Sequence, residues 1–154
     1  MSGSLEADRV ADLLGLVPLP AEGGRWAQTV RDGQSTAIYY LLADGDFSAM
    51  HRLSSPELYH HYAGDPALLL LLLLHPDGQV TEPVLGPDLE GGQRPQALVP
   101  AGVWQGSSTL GRWSLLGTTM TPPYTDEMFE LGRRDDLLDR WPTAAARIAD
   151  LTWA

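Results

Sequence analysis

Turn-forming residues interrupt this chain about every 8 to 12 positions between residues 25 and 120, and this spacing restricts the fold more than any other feature. The segment "RWAQTV" meets the turn "RDGQ", and "STAIYYLL" meets "ADGD". Similar short runs, apolar or alternating, follow each later turn. Such runs are long enough for strands and too short for most helices. The pattern therefore predicts an antiparallel β-sandwich or a small β-barrel.

Both ends of the chain change to helical spacing. In "SLEADRVADLL" the apolar residues recur on one helical face, and "DDLLDRW" and "PTAAARIADLTW" do the same near the other end. We therefore predict an all-β protein with short terminal helices, in a single domain over residues 1–154. The expected bounds are about 4–14 for the first helix, about 25–120 for the barrel and about 126–152 for the last helices.

The leucine run "ALLLLLLLH" at residues 67–75 predicts a strand that is buried on both faces. It lies between the turn signals "AGDP" and "HPDG", and it is far shorter than the roughly 20 residues of a membrane helix. His75 follows the run in a turn, where we expect it to be exposed. Because the start "MSGSLEADRV" also lacks the features of a signal peptide, we expect a cytoplasmic protein with no membrane partner.

Charge and composition exclude several kinds of chemistry. The formal net charge is -10, which argues against nucleic acid as a partner. All ten basic residues are arginines, so Schiff-base catalysis by lysine is excluded. The absence of cysteine excludes thiol nucleophiles, thiolate metal ligands and disulfides.

Two spaced motifs lie within the predicted strands. The first runs through Gly45, His51, Leu53, Glu57 and Gly64, and it has the spacing G-x5-H-x-H-x3-E-x6-G with leucine at the second histidine position. These are the positions of the first signature of the cupin superfamily, which this stretch resembles.

The second motif strengthens that resemblance. In "PAGVWQ", Pro100, Gly102 and Gln105 match the core P-x-G-x2-H of the second cupin signature, with glutamine in place of histidine. Over about residues 11–142 the chain resembles a small single-domain cupin family that was catalogued as a domain of unknown function and labelled predicted sugar epimerases. The resemblance implies a cupin jelly-roll β-barrel, a small-molecule ligand in the barrel and a homodimer.

The resemblance also implies a position for a metal, but two of its four ligands are replaced. Leu53 offers no donor atom, and Gln105 offers only a neutral amide oxygen. The sequence therefore predicts no metal cofactor. The alternative is one divalent transition metal held by His51, Glu57 and His61, because strand alternation puts Glu57 and His61 on one face.

Acid/base catalysis by proton transfer requires fewer side chains than a metal site does. His51 is a suitable general base near neutral pH, and Glu57 either orients it or acts as a base itself. Tyr39 or Tyr40, on a neighbouring strand, supplies an opposing acid. Alternation sends only one of the two tyrosines inward, and the resemblance favours Tyr39.

Other residues are candidates for contact with the ligand. We expect Tyr59, His61, Gln105 and Leu53 to line the pocket, and Arg94 to bind an anionic group. The hypothesis is a metal-independent isomerase, epimerase or cyclase that acts on a small oxygenated metabolite, in a biosynthetic pathway. A metal-dependent oxygenase or lyase and a non-catalytic small-molecule-binding barrel remain as alternatives. The chain differs from the family pattern at several predicted pocket positions, which favours a different ligand: Leu19, Arg25, Pro56, Tyr59 and His61.

Overall fold

Two antiparallel β-sheets face each other in the computed structural model, which describes residues 5–72 and 78–154. Within these residues the first sheet has the strand order β1-β2-β3-β11-β5-β9, and the second has the order β12-β4-β10-β6-β7 with β8 beside β6. This arrangement is a jelly-roll β-barrel, so the predicted all-β class is confirmed. The strands are β1 Val17–Pro18, β2 Arg25–Arg31, β3 Thr36–Ala43, β4 Ser48–Leu53, β5 Glu57–Gly64, β6 Ala67–Leu72, β7 Val80–Thr81, β8 Val84–Leu85, β9 Gln96–Val99, β10 Trp104–Thr109, β11 Trp113–Met120 and β12 Phe129–Leu131.

Short helices cover the outer faces of both sheets. Helix α1 (Ala7–Leu14) ends at Gly15, whose φ of 69° reverses the chain, and it packs against the outer face of the first sheet. Helices α2 (Arg134–Arg140) and α3 (Ala145–Asp150) pack on the second sheet, with one-turn 3₁₀ helices at Asp126–Met128 and Pro142–Ala144. None of the described helices is long and apolar enough to cross a membrane.

The leucine run forms β6, and its alternation serves two apolar layers. Leu69 and Leu71 pack between the sheets, whereas Leu70 and Leu72 pack under α2 and α3. A strand between two apolar layers has no polar face, which explains the unbroken run of leucines. The predicted exposure of His75 lies outside the described residues.

The predicted boundaries need two corrections. The range 126–152 contains strand β12, because Phe129, Glu130 and Leu131 pair with β4 instead of continuing a helix. Strand β1 lies before residue 25, where the barrel was expected to begin, and it pairs with β2 and extends the first sheet. Each strand widens the edge of its sheet, and β12 lies beside β4, which carries His51 and Leu53 of the predicted site.

Candidate functional site

A cavity of about 160 Å³ opens between the two sheets. Its walls come from the inner faces of β2, β3, β5 and β11, from β4 opposite, and from the chain segments before β2 and after β11. A cavity of about 150 Å³ holds benzene, so the enclosed space accommodates one ring. The lining residues are Leu19, Glu22, Trp26, Gln28, Thr36, Ile38, Tyr40, His51, Leu53, Glu57, Tyr59, Thr118, Met120, Tyr124 and Asp126.

His51 is held in one orientation at the wall formed by β4. Only 1% of the residue is exposed, and its ring stacks on Phe129 at 5.1 Å between centroids. Its Nδ1 lies 2.7 Å from the carbonyl oxygen of Ala49. Because a carbonyl only accepts hydrogen bonds, Nδ1 carries the proton and Nε2 of the neutral ring carries the lone pair. This orientation makes Nε2 the basic atom of the ring.

Glu22 faces His51 and was missed in the sequence. Its Oε1 lies 3.8 Å from Nε2 of His51, and its Oε2 accepts a hydrogen bond of 2.9 Å from Ser48 Oγ. The Glu22 carbonyl also accepts a 2.7 Å bond from the amide of Ala49. Backbone and side chain are therefore both attached to β4, and the carboxylate can stabilise a protonated His51.

The segment that carries Glu22 requires two glycines. Gly23 and Gly24 have φ values of 95° and 73°, in the left-handed region that favours glycine. A Cβ at Gly24 would lie 2.8 Å from the Tyr40 hydroxyl oxygen and 2.9 Å from the Tyr40 ring, so the backbone passes close to that side chain. The motif "EGG" was the available sequence signal, since a carboxylate before paired glycines marks a tight approach of the backbone.

Glu57 belongs to a hydrogen-bonded group that joins the two sheets. Gln105 lies on β10, where it pairs with His51 of β4. Its Nε2 donates to Glu57 Oε1 at 3.2 Å, and its Oε1 accepts a 2.8 Å bond from the Tyr59 hydroxyl. Burial, and after it the charge of Glu22, raises the pKa of Glu57, while His51 opposes this effect. The protonated form of Glu57 is therefore favoured more than in a free carboxyl group.

Tyr40, not Tyr39, lines the cavity, so the predicted choice between them is wrong. Tyr39 lies on the outer face of β3, where it packs near α1 and contacts Tyr62 edge to face. The Tyr40 hydroxyl donates a 2.6 Å bond to the carbonyl of Gly23. Burial, with a smaller contribution from Glu22, raises the pKa of Tyr40 well above its ordinary value. The Tyr40 hydroxyl proton is therefore held in the bond to the Gly23 carbonyl and is not directed at a ligand.

Two predicted ligand contacts lie away from the cavity. The ladder between β5 and β11 is regular through His61, but the His61 side chain does not line the cavity, and its Nε2 bonds the carbonyl of Asp65 at 3.0 Å. Arg94 is exposed, and its guanidinium donates to the carbonyls of Leu89 and Gln93 in its own turn. The prediction that Arg94 binds a ligand in the barrel is corrected accordingly. Leu53 and Tyr59 line the cavity as predicted. Gln105 does not line it, contrary to the prediction, because its amide bonds Tyr59 and Glu57.

The donor set does not fit a three-ligand metal site. His61 is not part of the cavity wall, which leaves His51 and Glu57 from the predicted set. Among residues 5–72 and 78–154, no three His, Cys, Asp or Glu side chains are grouped so as to hold a metal ion. The absence of a metal cofactor remains a prediction.

Tyr124 and Asp126 form the outer rim of the cavity. Burial raises the pKa of Tyr124 to about 12, with further contributions from the charges of Asp126, Glu22 and Glu57. The rim continues into an outer groove that Trp26, Gln28, Tyr124 and Asp126 share with the cavity. A ligand with a ring in the cavity can thus extend toward the groove.

Comparison with protein families identifies the fold and the family. The model of the family described as cupin superfamily (DUF985) matches residues 8–132, and the chain belongs to this family. The resemblance found in the sequence is confirmed. A search among curated proteins found no match.

Solved structures agree with this assignment. A Shewanella oneidensis protein is 31% identical, with a TM-score of 0.90 over 97% of this chain and 99% of the other. A hypothetical protein from Leishmania major is 26% identical, with a TM-score of 0.89 over 97% and 100% of the two chains. A dTDP sugar isomerase from Desulfovibrio desulfuricans shares the fold at 20% identity, with a TM-score of 0.58 over 85% and 87%.

Proposed function

We propose that this member of the cupin superfamily is an acid/base enzyme, of the isomerase, epimerase or cyclase type, that acts on a small oxygenated molecule. The observation that carries the proposal is the orientation of His51. Its Nδ1 is bonded to the Ala49 carbonyl, so its basic Nε2 is left for chemistry in a cavity of one-ring size. The Glu22 carboxylate lies 3.8 Å from this nitrogen.

The proposed reaction begins with proton removal by His51. Nε2 takes a proton from a carbon next to a carbonyl group, and the electrons of the broken C–H bond move toward the carbonyl oxygen. The imidazolium that forms is stabilised by Glu22 across 3.8 Å. Ser48 holds Glu22 in place for this role.

Glu57 is the proposed acid on the opposite wall. Its raised pKa favours the protonated carboxyl, which donates a proton to the carbonyl oxygen as negative charge develops there. With an α-hydroxy carbonyl substrate, the product of this step is an enediol. Transfer of the His51 proton to the former carbonyl carbon, with the other hydroxyl proton passing to the Glu57 carboxylate, gives an isomer. Addition of a solvent proton to the original carbon from the other face, with Glu57 recovering its proton and His51 releasing its proton to solvent, gives an epimer.

Tyr40 and Tyr59 are proposed to position the ligand. Both hydroxyl protons are donated to protein carbonyl oxygens, of Gly23 and of the Gln105 side chain. Each hydroxyl oxygen can still accept a hydrogen bond from a ligand. The acid role predicted for a tyrosine therefore passes to Glu57 in this proposal.

The test is exchange of carbon-bound hydrogen with solvent. A panel of pyranose-sized keto sugars and hydroxy ketones is incubated with the protein in deuterated water, and the α-proton signal is followed by NMR. We expect deuterium to enter at least one compound that binds the protein. His51→Ala should slow this exchange about 100-fold or more.

Matched controls separate catalysis from binding. His60→Ala serves as the control variant, because His60 bonds Thr119 on the first sheet and does not line the cavity. Compounds that bind without any exchange would contradict the proposal and support a non-catalytic binding barrel. Exchange that His51→Ala leaves unchanged would also contradict it.

Two further proposals concern the assembly of the protein and its location. We propose that the protein is a cytoplasmic homodimer, as the family resemblance implies. Sedimentation equilibrium on the full chain tests the assembly, with a mass of twice 16.7 kDa expected and a monomer mass contradicting it.

A further inference from the structure

The charge of the cavity wall restricts the ligand further than the proposed chemistry does. Glu22, Glu57 and Asp126 all line the cavity, and His51 is the only basic side chain among its described lining residues. The proposed function requires His51 to be neutral before it takes a proton. In that state the wall carries acidic groups and no cation.

The arginines do not compensate for these carboxylates. The Arg25 guanidinium pairs with Asp8 at 2.9 Å, and that of Arg52 pairs with Glu130 at 2.8 Å. Arg31 lies in the outer groove, where it donates to the Tyr124 carbonyl. Asp126 and Glu127 line the same groove. Since the chain also has no lysine and no arginine lines the cavity, its wall offers a phosphate or carboxylate no guanidinium or ammonium group.

A second observation concerns the acceptor atoms that face the cavity. The Glu22 carboxylate accepts a bond from Ser48 at Oε2, so Oε1 can accept from an ammonium group on the ligand. Glu22 Oε1 lies 3.8 Å from His51 Nε2, which is beyond hydrogen-bond distance. Nε2 therefore stays directed at the carbon atom whose proton it removes while the ammonium group binds Glu22.

Aromatic and apolar side chains describe the rest of the ligand. Trp26 lines the cavity near the rim, and an indole face attracts cations. Leu19, Ile38, Leu53 and Met120 give apolar walls around a space of one-ring size. The combination suits a ring with an ammonium group more than it suits a highly charged anion.

We infer that the cavity selects a ligand with a protonated amine on a ring-sized body, held by Glu22 and Asp126, and that it rejects phosphorylated and carboxylated analogues. The inference rests on the proposed function, since it concerns the same cavity. A cavity of this charge would not bind the phosphates of a nucleoside diphosphate, because they would lie against carboxylates.

Three compounds with one ring and different charge test this inference. Benzylamine, benzyl alcohol and benzoate are a cation, a neutral molecule and an anion of nearly equal size at pH 7. Each is titrated into ¹⁵N-labelled protein, and the indole N–H signal of Trp26 is followed by NMR, after assignment with Trp26→Phe. We expect benzylamine to bind at least about tenfold more tightly than benzyl alcohol, and benzoate to bind least.

Variants identify the responsible carboxylates. Glu22→Gln keeps an oxygen that can accept from Ser48, and Asp126→Asn changes an exposed side chain, so we expect both to fold. Each should reduce the ratio of benzylamine to benzyl alcohol affinity at least about threefold. Glu90→Gln, an exposed carboxylate outside the cavity wall, should leave the ratio unchanged.

The outcomes separate this inference from the proposed function. Benzoate binding as tightly as benzylamine, equal affinities for the three compounds, or no saturable shift with benzylamine at about 10 mM would overturn the inference. A ratio that neither variant changes would overturn it as well. A cation preference in a protein that shows no solvent exchange would contradict the proposed function and leave the inference standing.

Discussion

The bond between Tyr59 and Gln105 connects the two sheets beside the cavity, and its contribution to stability can be worked out from the structure. Both side chains are buried, with exposures of 2% and 1%. The Tyr59 hydroxyl donates to Gln105 Oε1 at 2.8 Å, and Gln105 Nε2 donates to Glu57 at 3.2 Å. Replacing Gln105 by leucine removes both bonds and keeps most of the side-chain volume.

The expected cost of Gln105→Leu has two parts. The buried Tyr59 hydroxyl loses its partner, which costs about 1–3 kcal/mol, and the bond to the protonated Glu57 carboxyl is worth about 0.5–1.5 kcal/mol. We therefore expect the free energy of unfolding to fall by about 1.5–4.5 kcal/mol. Tyr59→Phe leaves Gln105 Oε1 without a donor and should cost about 1–3 kcal/mol.

The double variant tests whether the bond is the cause. Because Tyr59→Phe with Gln105→Leu removes both partners, its cost should be about 1–3 kcal/mol smaller than the sum of the single costs. Urea unfolding at pH 7, followed by tryptophan fluorescence and circular dichroism, measures all four proteins. Costs that add within about 0.5 kcal/mol would refute the reasoning.

Two further predictions concern Glu57 and Leu53. Burial and the charge of Glu22 raise the pKa of Glu57 above its ordinary value of 4.5, so folding favours the protonated carboxyl. The resulting contribution to stability is fully present below pH 4.5 and is lost as the pH rises through the raised pKa of the folded protein. Thermal unfolding should therefore show that Glu57→Gln gains stability relative to the unaltered protein between pH 4.5 and 8, by about 1.4 kcal/mol for each unit by which the pKa is raised. A difference in stability between the two proteins that does not change with pH would contradict this prediction. Leu53→His adds an imidazole to the cavity wall that holds His51 and Glu57, so calorimetry should show Zn²⁺ affinity rising at least about tenfold, with Leu53→Gln as the control. Equal Zn²⁺ affinity in Leu53→His and Leu53→Gln would mean that the three side chains do not converge.

Local patterning predicted the barrel well because each strand carries its own signal. The leucine run and the turns around it required no knowledge of the partner strands, and β6 lies where they predicted it. The N-terminal helix followed from its apolar spacing, although it begins at Ala7 instead of about residue 4. Strand β12 was missed because its three residues are too short to show a period, and its pairing with β4 depends on tertiary contact.

The site was harder to predict because its orientation depends on contacts between distant segments. Alternation did not separate Tyr39 from Tyr40, since α1 covers the outer face of β3 and Leu41 on that face is as buried as Tyr40. The pairing of β5 with β11 is regular through His61, so alternation gave no sign that this side chain bonds the Asp65 carbonyl instead of lining the cavity. Glu22 comes from a loop, where no periodicity exists to give a direction.

The segment around Glu22 also depends on the far end of the chain. The indole Nε1 of Trp153 donates a 2.6 Å bond to the Ala21 carbonyl, and the ring contacts Phe47 at 4.5 Å between centroids. Trp153 and Ala21 are 132 positions apart in the chain. A sequence read in order contains no signal for such a contact, which explains why Glu22 was absent from the predicted site.

The most direct measurement of the central claim, that His51 presents a basic Nε2 to the cavity, is the NMR of its imidazole nitrogens. Long-range ¹⁵N–¹H spectra at pH 8, assigned with His51→Ala, distinguish the two neutral tautomers. We expect a proton on Nδ1, bonded to the Ala49 carbonyl, and an unprotonated Nε2. A neutral ring with its proton on Nε2 would contradict the proposed role of His51 as the base, because the nitrogen that faces Glu22 would then have no lone pair with which to accept a proton.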